Sequence, residues 1–258
     1  MKFCVSTLKE EKALQKANEI TSILLKSGYI LDEQKPEVVI SLGGDGTFLR
    51  SIQKYFNIDP LFVNLNFGNL GYLCEYSAAE IDDLITDLLD KTHTIREVSL
   101  LEANFNGRTE YAINEFRIEA DRGSTITFDV KINNTFLEKI KGDGCLISSS
   151  IGSSGMSRSL GGALVDNEIE MIQFVEKAPI NNKFYASIHS PYVLNKDKVI
   201  KIENIRPIGY WLFYDCKSIY MDEINGPICF SISDKKIRFL KNTRNNYIKK
   251  TREAFLHD

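Results

Sequence analysis

Histidine is scarce: the 258 residues hold three, His93, His189 and His257, far apart in the chain, so a histidine-based metal cluster or catalytic triad is not expected. Cysteine is little more frequent. Cys4, Cys74, Cys145, Cys216 and Cys229 are scattered, odd in number and free of C-x-x-C spacing, which speaks against a disulfide scaffold or a zinc site and for reduced thiols. No apolar run approaches the roughly 18 residues that span a bilayer, and Met1-Lys2-Phe3-Cys4-Val5 enters a strand pattern directly, so a soluble, cytoplasmic protein without a membrane partner is expected. A formal net charge of -3 and a pI of about 5.8 leave no global basic field, and no nucleic-acid partner is expected. Any anion has to be bound by local groups. No internal repeat or low-complexity linker is present. What the chain does have is 43% hydrophobic residues, enough for packed cores in one large or two modest domains.

The stretch that organises the rest is Val38-Val39-Ile40-Ser41-Leu42-Gly43-Gly44-Asp45-Gly46-Thr47-Phe48-Leu49-Arg50. A β-branched apolar run reads as a buried strand, and it stops at three glycines around one carboxylate before an amphipathic helix begins. Glycines there let backbone N–H groups approach an anion, and the helix N-terminus adds a favourable dipole, so phosphate is the natural guest. A carboxylate beside polyphosphate repels it unless a metal ion intervenes or the carboxylate takes a proton from an attacking hydroxyl. The residues alone also fit a turn in which Asp45 merely caps the helix. The stretch has no Lys after Gly46, as a P-loop requires, and no Gly-x-Gly-x-x-Gly of the dinucleotide fingerprint. Gly-Gly-Asp-Gly-Thr resembles the turn shared by the NAD kinases, the diacylglycerol and sphingosine kinases, and the phosphofructokinases.

Residues 1–95 alternate short apolar runs with helical patterns and predict an open, mainly parallel α/β domain. Phe3–Val5 reads as a strand. Ala13, Ala17, Ile20 and Leu24 share one face of a helix ending near Gly28, and Tyr29–Leu31 reads as a brief strand. Leu61–Leu65 is another buried strand, running into Asn66-Phe67-Gly68-Asn69-Leu70-Gly71-Tyr72-Leu73. Ligands of open α/β sheets sit at strand ends, so Asn66 should lie close to the Asp45 turn, as a ligand contact or simply as a turn residue. Ser77-Ala78-Ala79-Glu80 is a capping box opening a helix through Ile81, Leu84, Ile85 and Leu88.

From about residue 95 the period becomes strand-like, and residues 96–240 predict a sandwich-like all-β domain. Asn106-Gly107, Arg122-Gly123 and Asn133-Asn134 are hairpin signals, and later strands are expected at Val199–Ile202, Trp211–Tyr214, Ile228–Ile232 and Ile237–Leu240. The tail, 241–258, reads as a short surface helix over Thr243–Phe255 packing back on the first domain, its basic residues a solvated face rather than a binding patch.

Three stretches of the β domain are unusually polar. Asn114 and Glu115 interrupt an apolar run and can serve one ligand only if the strand bends or ends there; an edge strand with solvated polar residues is the alternative. Lys141-Gly142-Asp143 leads into a glycine- and serine-dense run through Ser159 and Gly161-Gly162, suited to backbone and Oγ hydrogen bonds with a nucleotide, with Lys141 and Arg158 as phosphate partners. A flexible loop is the alternative, against which stand its apolar anchors. Lys177 to Tyr185, followed by His189-Ser190-Pro191, reads alone as a loop entering a strand.

In order and spacing, these stretches resemble the NAD kinase family over roughly residues 38 to 194. The glycine-aspartate motif is followed by Asn-x-Gly-x-Leu-Gly-Tyr-Leu at Asn66 to Leu73, the Asn114-Glu115 pair, Gly-Asp-Gly at 142–144, Gly-Gly at 161–162, and Ile180-Asn181-Asn182 before Ser190-Pro191. The lipid kinases share the first motif but not this whole series. The resemblance implies transfer of a phosphoryl group from ATP or polyphosphate, with a divalent metal ion, Mg2+ being expected, to the 2′-hydroxyl of the adenosine ribose of NAD, giving NADP. No protein residue is assigned to the metal. By position, Asp45 resembles the general base, with Gly43, Gly44, Gly46 and Thr47 near phosphate and ribose and Asn66 beside them. Asn114 and Glu115 resemble the ribose-fixing pair, and Asp143 the carboxylate on the nicotinamide half. Ser154, Gly155, Met156, Ser157 and Ser159 occupy the adenine-contacting loop, while Arg50 and Lys141 match basic positions near ligand. Ala178 and Tyr185 match a segment lining NAD at a subunit interface, which implies a homodimer or homotetramer and a site between the two domains. The chain departs from the family's Thr-Pro-Thr-Gly-Ser-Thr-Ala-Tyr at Ser149-Ser150-Ile151-Gly152-Ser153-Ser154-Gly155-Met156: Ser154 keeps a hydroxyl, but Met156 replaces an aromatic ring, so weaker nucleotide packing is expected. A lipid kinase of the same fold group and a non-catalytic dinucleotide-binding sensor are the alternatives.

Overall fold

A computed structural model describes the whole chain except residues 8–9, 68–70, 91–92, 224–225, 243–245 and 257–258. It forms two compact units, Met1–Val98 with Lys236–Asp258, and Ser99–Lys235.

The first unit contains β1 (Lys2–Thr7), α1 (Glu11–Lys26), β2 (Ile30–Leu31), β3 (Val38–Leu42), α2 (Asp45–Tyr55), β4 (Leu61–Asn66), β5 (Tyr76–Ser77) and α3 (Ile81–Leu89). β2, β1, β3 and β4 lie side by side, all parallel, with Leu42 of β3 level with Leu65 of β4. All five residues of β3 are buried, as a central parallel strand covered on both faces requires. The expected face of α1 is the buried one, and the helix stops at Ser27, where the amides of Gly28 and Tyr29 turn back to Leu25 and Leu24. Ser77 and Glu80 form the expected capping box, which opens a 3-10 turn at Ala78–Glu80 before α3.

The second unit is built from β6 (Thr94–Phe105), β7 (Arg108–Ala112), β8 (Glu115–Ala120), β9 (Ile126–Ile132), β10 (Thr135–Gly142), β11 (Gly144–Ser149), the single turn α4 (Met156–Ser159), β12 (Met171–Lys177), β13 (Tyr192–Asn195), β14 (Ile200–Arg206), β15 (Tyr210–Tyr214), β16 (Lys217–Met221) and β17 (Ile228–Lys241). The chain passes between units within β6 and again within β17, and α5 (Tyr247–Phe255) ends the described chain. One sheet of the second unit runs β10-β9-β14-β17, and the other runs β13-β12-β11-β8-β15-β16. Their inner faces interdigitate around Phe116, Phe128, Phe174, Ile202, Leu212 and Phe230, with the rings of Phe116 and Phe230 5.4 Å apart. This is the sandwich the strand period predicts.

Three expectations need correction. Arg122-Gly123 is no hairpin: β8 and β9 belong to opposite sheets, so this left-handed turn carries the chain across the sandwich. The strands expected at Ile228–Ile232 and Ile237–Leu240 are one, because the polar Ser233-Asp234-Lys235-Lys236 between them contains no Gly or Pro and stays extended. The tail helix begins later than expected, at Tyr247, capped by the Asn246 side chain accepting the Ile248 amide; Arg244 and His257 lie outside the described residues.

Candidate active site

The glycine turn sits where the parallel strands end. Gly43 leaves β3 at a φ of 155°, and its N–H donates to the carbonyl of Leu65 at 3.0 Å, tying the turn to the end of β4 where Asn66 lies. A Cβ at Gly43 would come within 2.6 Å of Thr47 Oγ1, so the position admits no side chain while α2 starts where it does. Gly44 is the N-cap and Asp45 the first residue of α2, where its charge complements the helix dipole. Thr47, Phe48, Leu49, Ser51, Ile52 and Tyr55 anchor the helix inward, and Phe48 packs on Phe62 and Phe239. Gly46 and Arg50 face solvent, with Arg50 donating to Thr47 Oγ1 at 3.4 Å.

The Asp45 carboxylate is half-buried and held at both oxygens: the amides of Tyr72 and Leu73 donate to Oδ2 and Oδ1 at 2.9 and 3.0 Å. Burial pushes its carboxyl up from the usual aspartate value, against the pull of those amides, the Cys74 thiol and the Lys250 charge. The segment making these bonds is braced by α5. Tyr72 donates or accepts a 2.8 Å hydrogen bond with Thr251 and packs on Tyr247 and Phe255, and Lys250 reaches the carbonyl of Cys74 and the Glu75 carboxylate. Gly68, Asn69 and Leu70 of the second motif lie outside the described residues.

In the second unit, Asn114 and Glu115 stand where β8 begins, between β11 and β15. The edge-strand alternative is therefore excluded: Glu115 is 8% exposed in the middle of its sheet. Asn114 Oδ1 and Glu115 Oε2 are buried without a hydrogen-bond partner. Burial first, then the neighbouring Asp215 charge, push the Glu115 carboxyl up to about 7 against the opposing Arg117. Asp215 itself accepts the amides of Ile113 and Asn114 at 2.8 and 2.9 Å and so fixes the corner that presents the pair.

The serine and glycine run is no floppy loop. Its serines finish β11, a 3-10 turn covers Ile151–Ser154, and α4 follows. Gly152 is pressed against the Asn114 carbonyl, which a Cβ would meet at 2.1 Å. A Cβ on Gly155 would lie 3.5 Å from Glu115 Oε2 and 3.8 Å from Asn114 Nδ2, so this glycine borders the pair. Ser154 spends its hydroxyl on Ile151, Ser159 is exposed, and Met156 is 40% exposed. Ser157 turns inward and accepts from Gln173 at 3.1 Å. Its hydroxyl is a packing group here.

A third group gathers where β10 meets the loop after β12. Lys141 lies over the Tyr185 ring at 5.6 Å, its carbonyl accepts the Ile180 amide, and the exposed Asp143 binds the Lys177 carbonyl through its amide, next to Ala178. Residue-by-residue reading missed Asp215, Gln173 and Lys250. Each acts on residues far away in sequence, and the only local signal was an Asp in the turn between β15 and β16.

No set of three or more His, Cys, Asp or Glu side chains that could hold a metal exists among the described residues. Among the described residues there is thus no protein-built cage for the expected divalent ion.

A glycine turn at a helix start, with a half-buried carboxylate held by two backbone N–H groups, fits a phosphotransferase. The ATP-NAD kinase N-terminal domain model matches residues 5–93 and the C-terminal domain model residues 113–242, and the chain belongs to the NAD kinase family. NAD kinase 1 of Bacillus anthracis is 29% identical over 266 residues, covering 100% of both chains. The NAD kinase of Staphylococcus aureus is 29% identical over 264 residues, covering 99% of this chain and 98% of the other. An NAD kinase from Archaeoglobus fulgidus, solved with ATP, superposes with a TM-score of 0.80 at 22% identity, over 98% of this chain and 99% of that one. Yeast NADH kinase, solved with NADH, superposes at 0.84 with 17% identity, over 100% and 89%. These likenesses do not favour the lipid-kinase alternative.

Proposed function

We propose that the protein phosphorylates the 2′-hydroxyl of the adenosine ribose of NAD, with ATP or polyphosphate as donor. The observation that carries this reading is the Asp45 carboxylate, enclosed at the mouth of a glycine turn and aimed by two backbone N–H groups. Enclosure raises its proton affinity, which suits a group that must accept a proton near neutral pH. The hydroxyl proton passes to Asp45, the ribose oxygen bonds to the terminal phosphorus, and the bridging P–O bond breaks with its electron pair leaving on the nucleoside diphosphate or shortened polyphosphate. The backbone amides of the Gly44–Gly46 turn, at the start of α2, and the exposed Arg50 carry phosphate charge.

Asn114 and Glu115, with unpartnered buried oxygens, act as acceptors for ribose hydroxyls. Ser154, Gly155 and Met156 border the adenine, and Lys141, Asp143, Ala178 and Tyr185 meet the rest of the dinucleotide. Exposed Phe184 and Ile188, at 75% and 45%, support a homodimer or homotetramer closing over this loop. A donor-by-acceptor assay of the purified protein, with Mg2+ supplied and the product weighed by mass spectrometry, tests the reading. NAD gaining one phosphate supports it. Tight dinucleotide binding without any product identifies a sensor instead.

A further inference from the structure

The loop between β12 and β13 carries Ala178 and Tyr185, and its return is held by two acids from opposite sheets of the second unit. Glu138 of β10 accepts the Ile188 amide and Glu176 of β12 accepts the next amide, that of His189, each through Oε2 at 3.0 Å. Ala178 and His189, near the two ends of the loop, both have left-handed backbones, with φ of 45° and 53°, so the loop needs an anchor. Glu138 is only 6% exposed, and the remaining oxygens, Oε1 of Glu138 and Oε1 of Glu176, are both buried without a hydrogen-bond partner. Because they accept consecutive amides of one segment, the two carboxyl groups are brought together there.

Among the described residues neither carboxylate is in an ion pair, and the exposed His189, whose amide Glu176 holds, lines the groove beside Glu176. Lys139 and Lys177, their sequence neighbours, turn to Asp129 and Glu119, and Lys141 lies over Tyr185. The buried Cys145 thiol on β11 also faces the pair, itself pushed up by burial first and then by both glutamates. Two ionised carboxylates in such a place would repel, and each would hold a buried acceptor with no donor.

We propose that Glu138 and Glu176 share one proton, as a carboxyl–carboxylate hydrogen bond between their Oε1 atoms, and that this bond positions residues 178–191 to meet the dinucleotide. One proton satisfies both orphaned oxygens and removes one charge. Burial and the Glu176 charge, which raise the Glu138 carboxyl above the glutamate range, act in the same direction. With the folded-state value raised, the latch is complete below the ordinary value of 4.5 and is lost as pH rises beyond it through the folded-state titration. A groove lined by Gly161, Val175, Glu176, Ala178, His189 and Pro191 borders the Glu176 side of the pair. The link to the dinucleotide rests on the roles proposed above for Ala178 and Tyr185; the shared proton does not.

The test compares the full-length parent with E138Q, E176Q and the double variant, reading hydrogen exchange at the Ile188 and His189 amides, corrected for intrinsic rate, together with KM for NAD and kcat across pH. In either single variant the amide NH2 donates where the proton did and its oxygen still accepts the backbone N–H. Protection should therefore match the parent at low pH and no longer fall as pH rises, and KM should follow while kcat does not. The double variant sets two NH2 donors face to face and should lose about tenfold in protection. A pair acting by charge repulsion alone gives the reverse order, with the double variant protected best; that result, or parent protection independent of pH, overturns the proposal. Exchange in the expected order with a flat KM keeps the shared proton and overturns the role of this loop in NAD binding.

Discussion

Asp45 in the first unit and Glu115 in the second are both acids drawn into the protein, yet they are supplied in opposite ways. Asp45 receives two backbone N–H groups, whereas Glu115 receives none at Oε2, and the two nearby amides go instead to Asp215. An acid already aimed by the backbone suits proton transfer in one geometry. An acid with an unanswered lone pair suits a hydroxyl brought by a ligand.

The sharpest way to break this contrast is Asp45→Asn, which keeps shape and one acceptor but cannot take a proton. The kcat for NADP formation should fall by about a thousandfold, within the usual range for a lost general base, while calorimetry still finds NAD bound. Comparable turnover would remove Asp45 from the chemistry. Next in size is Asp215→Asn. One amide oxygen cannot replace two carboxylate oxygens for the Ile113 and Asn114 amides, so denaturation should show a loss of about 1–3 kcal/mol, with KM for NAD rising alongside. An unchanged KM would mean the corner does not present Asn114 and Glu115 to ligand.

Glu115 sharpens the comparison through pH. Its folded-state value of about 7 exceeds the ordinary 4.5, so its contribution to ligand-free stability is present at low pH and lost as pH rises through about 7. On the role proposed for Glu115, ribose hydroxyls donate to its ionised form, so NAD affinity should move the other way and strengthen over the same interval. Glu115→Gln should flatten both profiles in thermal-shift and binding titrations; a variant that keeps the parent's slope would assign the titration elsewhere. The smallest effect is expected from Met156→Tyr, which returns a ring to the half-exposed start of α4 and should tighten adenine nucleotide binding about threefold.

The parallel strands, the α1 face and the capping box were legible because each is a local pattern that packing then confirms. At Asn114 and Glu115 the residues left a bend, a strand end and an edge strand open, and only the partners of β8 show that it begins there inside its sheet. The same local reading failed where the answer is long-range. Arg122-Gly123 has the composition of a hairpin turn, and only the partners of β8 and β9 decide that it crosses the sandwich. Ser157 looked like its hydroxyl neighbours until Gln173, sixteen residues on, claimed it. Asp215 is separated from the amides it holds by about a hundred residues, and no spacing rule reaches that far.

A crystal structure with NAD bound tests the central role of Asp45 most directly. The adenosine-ribose 2′-oxygen should lie about 3 Å from an Asp45 carboxylate oxygen, within reach for proton transfer. A ribose bound away from that carboxylate, with Tyr72 and Leu73 as its only partners, would contradict it.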